Sequence, residues 1–455
     1  MTMDRARHQK SAQAERIAAR RGEASSQTVS DEARSPRHAP KDAGQDLLTQ
    51  VLERGNMQRA WKRVKANKGA AGVDGLDIRQ TGEHLRGAWS TIRQQLMDGT
   101  YRPQPVRRVC IPKPDGSERE LGIPTVTDRL IQQALLQVLQ PLIDPTFSEH
   151  SYGFRPGRRA QDAVLAAHQH VLDGYRVVVD VDLSKFFDRV NHDILIDRLS
   201  KRVDDAGVIR LVRAYLNAGI MDSGVVVERA EGTPQGGPLS PLLANVLLDE
   251  VDRALERRGH HFARYADDCN VYVRSQRAGE RVMALLKRHY DKLHLKINES
   301  KSAVSSAFGR KFLGYSLWVT PKGEVKRLVS GKALATFMQR IRELTRRSGG
   351  RSISEVIERL RSYVLGWKAY FKLAQSVRRW RQLDEWMRRR MRALQLKQWR
   401  RGTTIYRELL KLGARPQVAK SVAALSRRWW HNSMTALHHV LTNGYFDRLG
   451  MPRLT

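Results

Sequence analysis

Two short segments carry acids where a β-strand should be apolar, and any fold for this chain must accommodate them. The run RVVVDVDL, residues 176–183, reads as a strand with Asp180 and Asp182 two residues apart, hence on one face. The run FARYADDCNVYV, residues 262–273, sets apolar and β-branched stretches on either side of a polar centre, the pattern of a hairpin with Asp267 and Asp268 at its tip. A carboxylate inside an apolar strand is expensive unless it is paired or metal-bound. Turn chemistry explains adjacent aspartates at a hairpin tip, and a salt bridge to one of many arginines explains a lone strand acid. Two acid-bearing β-elements in one chain shift the balance toward a divalent metal site. Asp182 would then join Asp267 and Asp268, while Asp180 keeps the salt-bridge reading. Three such acids suit in-line phosphoryl transfer assisted by two ions.

The charge balance names the class of partner. Across 455 residues, 81 Lys and Arg stand against 47 Asp and Glu, a formal net charge of +34. Nucleic acid is the polyanion that such a chain fits, because each phosphate neutralised releases condensed counterions. An anionic membrane surface would also attract it, but no apolar stretch is long enough to span a bilayer, so a soluble protein without a membrane partner is expected. Cys110 and Cys269 lie far apart and without histidines at ligand spacing, which excludes a disulfide framework and a zinc site of the usual pattern. A reducing compartment follows. The absence of an apolar signal core at the N-terminus makes the cytoplasm the default, with nucleoid association when the protein acts on DNA.

Residues 1–45 are polar and basic and read as a disordered arm. Within TDRLIQQALLQVLQPLID, Leu130, Ile131, Ala134, Leu135, Val138 and Leu139 form a helical stripe that Pro141 and Pro145 are expected to end. Strand and helix patterns mix through about residue 330, and from 352 onward the pattern is helical, opened by Ser352 and Glu355 as a capping box. In VRRWRQLDEWMRRRMRALQLKQWRR, Trp380, Leu383, Met387, Met391 and Leu394 share a face assigned to the core. Arg379, Arg388, Arg389, Arg392 and Arg400 fall largely off it and are assigned to phosphate contact. Trp386 and Trp399 also leave the stripe, where base stacking and packing against a neighbouring helix are both open.

YADD in a hairpin, preceded by DLSKFFD, resembles the catalytic motifs of reverse transcriptases. IPKPDGSERELGIPTVTDRLIQQAL, SYGFRPGRRAQDAV, EGTPQGGPLSPLLANVLLDEVD, LHLKINESKS and KFLGY follow in order, and GWKAYF occupies 366–371. Together these resemble group II intron-encoded reverse transcriptase/maturases from about Trp61 to near the C-terminus. The resemblance implies an α+β fold: a right-hand polymerase with fingers and an antiparallel palm sheet over 46–330, an α-helical thumb/maturase domain over 331–402, and a C-terminal maturase segment over 403–455. With no cysteine after Cys269, the resemblance is to members that lack the endonuclease domain. It also implies roles: Asp182, Asp267 and Asp268 as catalytic metal ligands together with the backbone carbonyl of Leu183, binding two Mg2+. Lys113 and Arg119 would grip the triphosphate, Gln235 would lie beneath the incoming nucleotide, and Phe187 would crowd a ribonucleotide 2′-hydroxyl. Lys301 fits the family's NxxK pattern.

The function implied is an RNA-directed DNA polymerase that binds its group II intron RNA, promotes its splicing, and copies it into a DNA target from a primer with deoxynucleoside triphosphates during retrohoming. A splicing maturase with a vestigial polymerase site, and a domesticated or defence-associated reverse transcriptase, are the alternatives. The intact triad with Lys113, Arg119 and Gln235 favours the enzyme.

Overall fold

The computed structural model of the protein describes residues 46–112, 118–222, 225–227, 231–233, 236–434 and 436–455. The expected basic arm, Lys113 and Gln235 lie outside the described residues, and so does the side chain of Arg119.

Eleven strands among the described residues form three sheets. Val106–Pro112 (β1), Glu118–Ile123 (β2), Ile220–Asp222 (β4) and Val225–Val227 (β5) make one, in the order β2-β1-β4-β5 with β1 and β4 parallel. Val177–Val181 (β3), His261–Tyr265 (β6), Asp268–Val273 (β7) and Ala303–Ser306 (β8) make the second, antiparallel throughout in the order β6-β7-β3-β8. Lys311–Phe312 (β9), Tyr315–Val319 (β10) and Val325–Val329 (β11) complete a small antiparallel third. This is the α+β polymerase arrangement, with the second sheet as the palm and helices following it.

The strand period of two divides the palm sheet into faces. Val179 and Val181 of β3, with Cys269, Val271 and Val273 of β7, enter the main core with the helices Val126–Ile143, Ser240–Glu256 and Gln276–Lys292. Val178 and Tyr272 point the other way, onto the helix Ala160–Leu172 and the third sheet. Asp180, Asp182 and Asp268 are in phase with that second face. The β3–β7 register, Val177↔Val273 through Val181↔Cys269, therefore gathers the acids at one end of one face.

Pro141 does not end its helix, contrary to the sequence expectation. The helix runs Val126–Ile143 with Pro141 inside its last turn, then tightens into the 3-10 turn Asp144–Thr146. A proline there removes one N–H donor, and the full burial of Ile143 favours continuing the turn.

From Gly331 the chain is helical: Gly331–Leu344, Ile353–Tyr370, Val377–Trp399 and shorter helices to Asn443–Arg448. Ser352 caps the second of these, accepting from the Glu355 N–H at 3.2 Å. The anticipated stripe is inside, with Val356, Ile357, Leu360, Val364, Leu383, Met387, Met391 and Leu394 in one core. That core also takes Ile405, Leu437 and Phe446, so segments on both sides of residue 402 share it.

The helix Gln276–Lys292 approaches the palm sheet at Gly279, where an added Cβ would lie 2.3 Å from Val304 Cγ1. Val304 is β-branched and cannot swing away. Gly279→Ala is expected to destabilise the protein by roughly 1–3 kcal/mol through overpacking, despite alanine's better helix propensity. The midpoint of urea unfolding checks this, and an unchanged or raised midpoint would refute it.

Candidate active site

The site begins where β3 stops. Past Val181 the chain bridges to the loop before β8, with the Asn298 N–H donating to the Asp182 carbonyl at 2.8 Å and the Ser184 N–H to the Lys296 carbonyl at 2.8 Å. Ser302 Oγ accepts from the Asp182 N–H at 3.0 Å. These bonds flank Leu183 and leave its own carbonyl facing the opposite edge, the β7 side, while its side chain is buried in the core. The Asp182 carboxylate is about half exposed, with the Lys301 ammonium 3.8 Å away. Lys301 thus stands beside the first acid. Asp180 accepts from Arg310 Nε at 2.8 Å and, with the Asn270 amide oriented to satisfy its neighbours, from that amide at 3.0 Å. The salt-bridge reading of Asp180 matches this geometry.

The acidic turn is a two-residue hairpin loop. Tyr265 pairs with Asp268, and Ala266 takes the left-handed region at φ 59°. A non-glycine residue rarely adopts that conformation, so something must hold it. Beneath it lies Arg264, 1% exposed, whose N–H groups are all engaged. Nε donates to Asp252 at 2.8 Å, one terminal nitrogen to Asn245 Oδ1 and the Ala266 carbonyl, both at 2.9 Å, and the other to Ser151 Oγ at 2.8 Å and to Asp252 at 2.5 Å. Asn245 in turn donates to the Gly153 carbonyl at 2.9 Å. At Gly153 a Cβ would sit 2.2 Å from the Ala266 nitrogen, so only glycine lets the SYGF segment pass under the turn. Sequence analysis missed Arg264, Asp252, Asn245 and Ser151. The one available signal was a basic residue at an inward-facing position of β6.

Burial and neighbouring like charges both act on the acids. Burial, followed by the Asp180 and Asp267 carboxylates, raises the Asp268 pKa to about 7, with Lys311 opposing. Burial also raises Asp180, against the pull of Arg310. Continuing the register one position past Val181↔Cys269 puts Asp182 opposite Asp268, and the Asp182 charge adds to the rise of the Asp268 pKa. Among the described residues no three His, Cys, Asp or Glu side chains converge as a metal-ligand cluster. The donor set nonetheless fits a hard divalent cation: it is all oxygen, and its mutual repulsion is what such an ion relieves.

The remaining site residues surround this strand end. Phe187 sits in the 3-10 turn Phe186–Asp188, half-buried, its ring 5.0 Å from that of Phe186 and packed on the main core. Its carbonyl accepts from the Thr233 N–H at 2.7 Å, which ties the TPQGG segment to the β3 exit. At Gly236 (φ 137°) a Cβ would lie 2.5 Å from the Gly122 carbonyl oxygen at the end of β2, so glycine is what lets the two backbones approach there. Arg119 pairs with Ile111 in the β1–β2 hairpin.

The helical arginines divide, and part of the expectation is corrected. Arg388 is 1% exposed, pairing with Asp447 at 2.9 Å and Asp384 at 3.5 Å. Arg392 is also buried, donating to the Leu441 carbonyl at 2.8 Å and Asn443 Oδ1 at 3.3 Å. Both hold the C-terminal segment against the helix Val377–Trp399, because that segment covers the face taken for solvent-exposed. Arg389 is half-buried over the Trp430 ring at 3.8 Å. Arg379 and Arg400 are exposed. Trp386 lies between Arg342 and Arg390, with centroid distances of 5.6 and 5.5 Å. No helix among the described residues is long and apolar enough to cross a membrane.

Comparison with known proteins agrees with the geometry. Residues 111–317 match the family "Reverse transcriptase (RNA-dependent DNA polymerase)", and residues 334–413 match "Group II intron, maturase-specific domain". Protein YkfC of Escherichia coli (strain K12) is 36% identical over 47% of this chain and 58% of its own. Group II intron-encoded protein LtrA of Lactococcus lactis subsp. cremoris is 39% identical over 43% of this chain and 32% of its own. The chain therefore aligns with only part of each relative's length. Among solved structures, a chain of a "Partial Cas6-RT-Cas1--Cas2 complex" covers 56% of this chain and 46% of that one at 26% identity, with a TM-score of 0.36, too loose to bear on function.

The network under the turn generates a stability test. Arg264→Met leaves Asp252 buried without its cation, at a cost of roughly 3–5 kcal/mol. Adding Asp252→Leu in the same chain is expected to recover part of that loss. Denaturant midpoints of the two single variants and the double variant check the coupling, and strictly additive losses would refute it.

Proposed function

Because this chain joins the reverse transcriptase domain to the maturase-specific domain, it belongs with the group II intron-encoded proteins, and we propose that it is an RNA-directed DNA polymerase that binds a group II intron RNA, assists its splicing and copies it into DNA during retrohoming. The observation that carries the polymerase reading is the palm strand end, where Asp182 follows β3, Asp268 opens the paired β7 and Asp267 occupies the turn.

Asp182, Asp267, Asp268 and the Leu183 carbonyl are the groups that would hold two Mg2+. When bound, such ions supply activation of the primer 3′-hydroxyl and stabilisation of the departing pyrophosphate. The chain's own residues prepare the place. Arg310 neutralises Asp180, which leaves the other acids to act outward. Lys301 balances Asp182 in the ligand-free site. Arg264 fixes the Ala266 carbonyl and with it the direction of the turn. Gln235, Lys113 and Arg119 are proposed to receive the nucleotide base and triphosphate, and Phe187 to exclude the 2′-hydroxyl. The exposed Arg379 and Arg400, with Arg389 at the rim, are the proposed RNA contacts of the helical region.

Primer extension on an RNA template tests the reading. Asp267→Asn is expected to lower the extension rate by at least about 10²-fold, corresponding to roughly 3 kcal/mol of transition-state stabilisation. Extension within a few-fold of the unmodified protein would remove the catalytic assignment. Phe187→Ala is expected to raise ribonucleotide incorporation relative to deoxyribonucleotide, and unchanged discrimination in an active variant would reduce Phe187 to packing. Replacing both Asp267 and Asp268 by Ala should stop DNA synthesis while sparing RNA binding and splicing, since phosphate-binding surfaces do not need the acids. Loss of splicing in that variant would refute the division of labour.

A further inference from the structure

At the end of the catalytic hairpin opposite its acidic turn lies a cleft of about 510 Å³ lined by Tyr175, Arg258, His261, Arg274, Arg281 and Arg288. Five residues of extended strand separate His261 from the turn, roughly 16 Å at 3.3 Å per residue, so the cleft is distinct from the palm's acidic end. The four arginines come from three elements: the loop after Ser240–Glu256, the end of β7, and the helix Gln276–Lys292, on which Arg281 and Arg288 lie two turns apart. None of the four forms an ion pair among the described residues. Arginines elsewhere in the same region differ: Arg198 pairs with Glu250, Arg202 and Arg253 with Asp249, Arg310 with Asp180. The floor is aromatic, the Tyr175 and His261 rings 4.1 Å apart and the Arg274 guanidinium 4.9 Å from the Tyr175 centroid.

We propose that this cleft is a second RNA-binding site, which grips the phosphates of an unpaired RNA segment outside the polymerase channel. A concave wall of one sign focuses positive potential. All four cations are arginines, whose planar fork fits phosphate oxygens in pairs as a lysine ammonium does not. The aromatic floor gives a neighbouring base a surface to stack on. A membrane surface is a poorer match, because headgroups in a plane meet protruding cations and not a recess. The proposal rests on the reading that the chain works on RNA, and it adds where a copied or spliced RNA is held away from the active site.

The test uses the full chain, a fluorescein-labelled RNA hairpin with a ten-nucleotide unpaired loop, and saturating unlabelled primer–template to occupy the polymerase channel. In Arg274→Gln/Arg281→Gln/Arg288→Gln, hairpin affinity is expected to fall at least about tenfold, with the slope of log affinity against log salt flattening by up to roughly 2 units, at about 0.7 per single-strand phosphate contact. Extension of a short primer–template should stay within twofold. The corresponding triple Lys variant should regain part of the affinity while keeping the slope. Hairpin affinity and salt slope unchanged in the Gln variant would overturn the site, as would a loss of primer extension equal to the loss of hairpin binding. So would loss of binding to phosphatidylserine vesicles with hairpin binding intact, which assigns the cleft to membranes. Failure of the unmodified chain to bind the hairpin or any primer–template would overturn the RNA-directed reading itself.

Discussion

One buried guanidinium determines whether the acidic turn exists in its observed form. Arg264 spends every N–H on a partner from a different part of the chain: Asp252 and Asn245 on the helix Ser240–Glu256, Ser151 in the segment before the helix Ala160–Leu172, and the Ala266 carbonyl in the turn. The cost of burying that charge is met only if all of them are present together. The same segment pairs along the outside of β6, with the Tyr152 N–H donating to the Arg264 carbonyl at 2.8 Å and the Arg264 N–H to the His150 carbonyl at 2.9 Å. Gly153 then lets the segment slide beneath Ala266. Two motifs that look separate in sequence, SYGF and YADD, are therefore one structural unit.

Above that unit, the acids are distributed so that only some are neutralised by protein. Asp180 has Arg310 and Asn270, and is thereby part of the sheet's internal structure. Burial, with the like charges of Asp180 and Asp267 behind it, lifts the Asp268 pKa to about 7. Lys311 offsets only part of that rise, although a chain with 34 excess positive charges has further cations to place. Residual repulsion at a strand end is a state that a bound divalent ion completes.

Much of this was legible in the sequence, for reasons of period. The two-residue period put Asp180 and Asp182 on one face of β3, and the polar centre of 262–273 gave the hairpin and its tip. The 3.6-residue period found the buried face of Leu383, Met387, Met391 and Leu394. Period fails where a second element decides which face is covered. Arg388 and Arg392 sit off the apolar stripe and still are buried, because the segment through Leu441 and Asp447 folds over them and supplies acceptors. Pro141 reads as a stop by propensity, yet packing of Ile143 carries the helix past it. Arg264 was invisible for the same reason: its side-chain partners lie 12 to 113 residues away, and no local pattern brings Ser151 and Asp252 to one point.

The helical region is not merely appended to the palm; it is joined to the third sheet and the helix Ala160–Leu172 through the GWKAYF element. Tyr370 accepts from the Tyr315 hydroxyl at 2.5 Å and from the Gln161 amide at 2.9 Å, and its own hydroxyl donates to the Leu313 carbonyl at 3.0 Å. Phe371 packs so closely on Gly314 that a Cβ there would meet its ring at 3.1 Å. The motif after β9 and the motif ending the helix Ile353–Tyr370 thus form a joint. Burial raises the Tyr370 pKa, and Tyr265 and Asp268 add to the rise. A shift of the helices on binding RNA would move Tyr370 relative to Asp268, and through Tyr315 and Gln161 it would load both β10 and the helix Ala160–Leu172. The helical region and the palm region are therefore joined through packed side chains, Tyr370 and Phe371 on one side and Leu313, Gly314 and Tyr315 on the other.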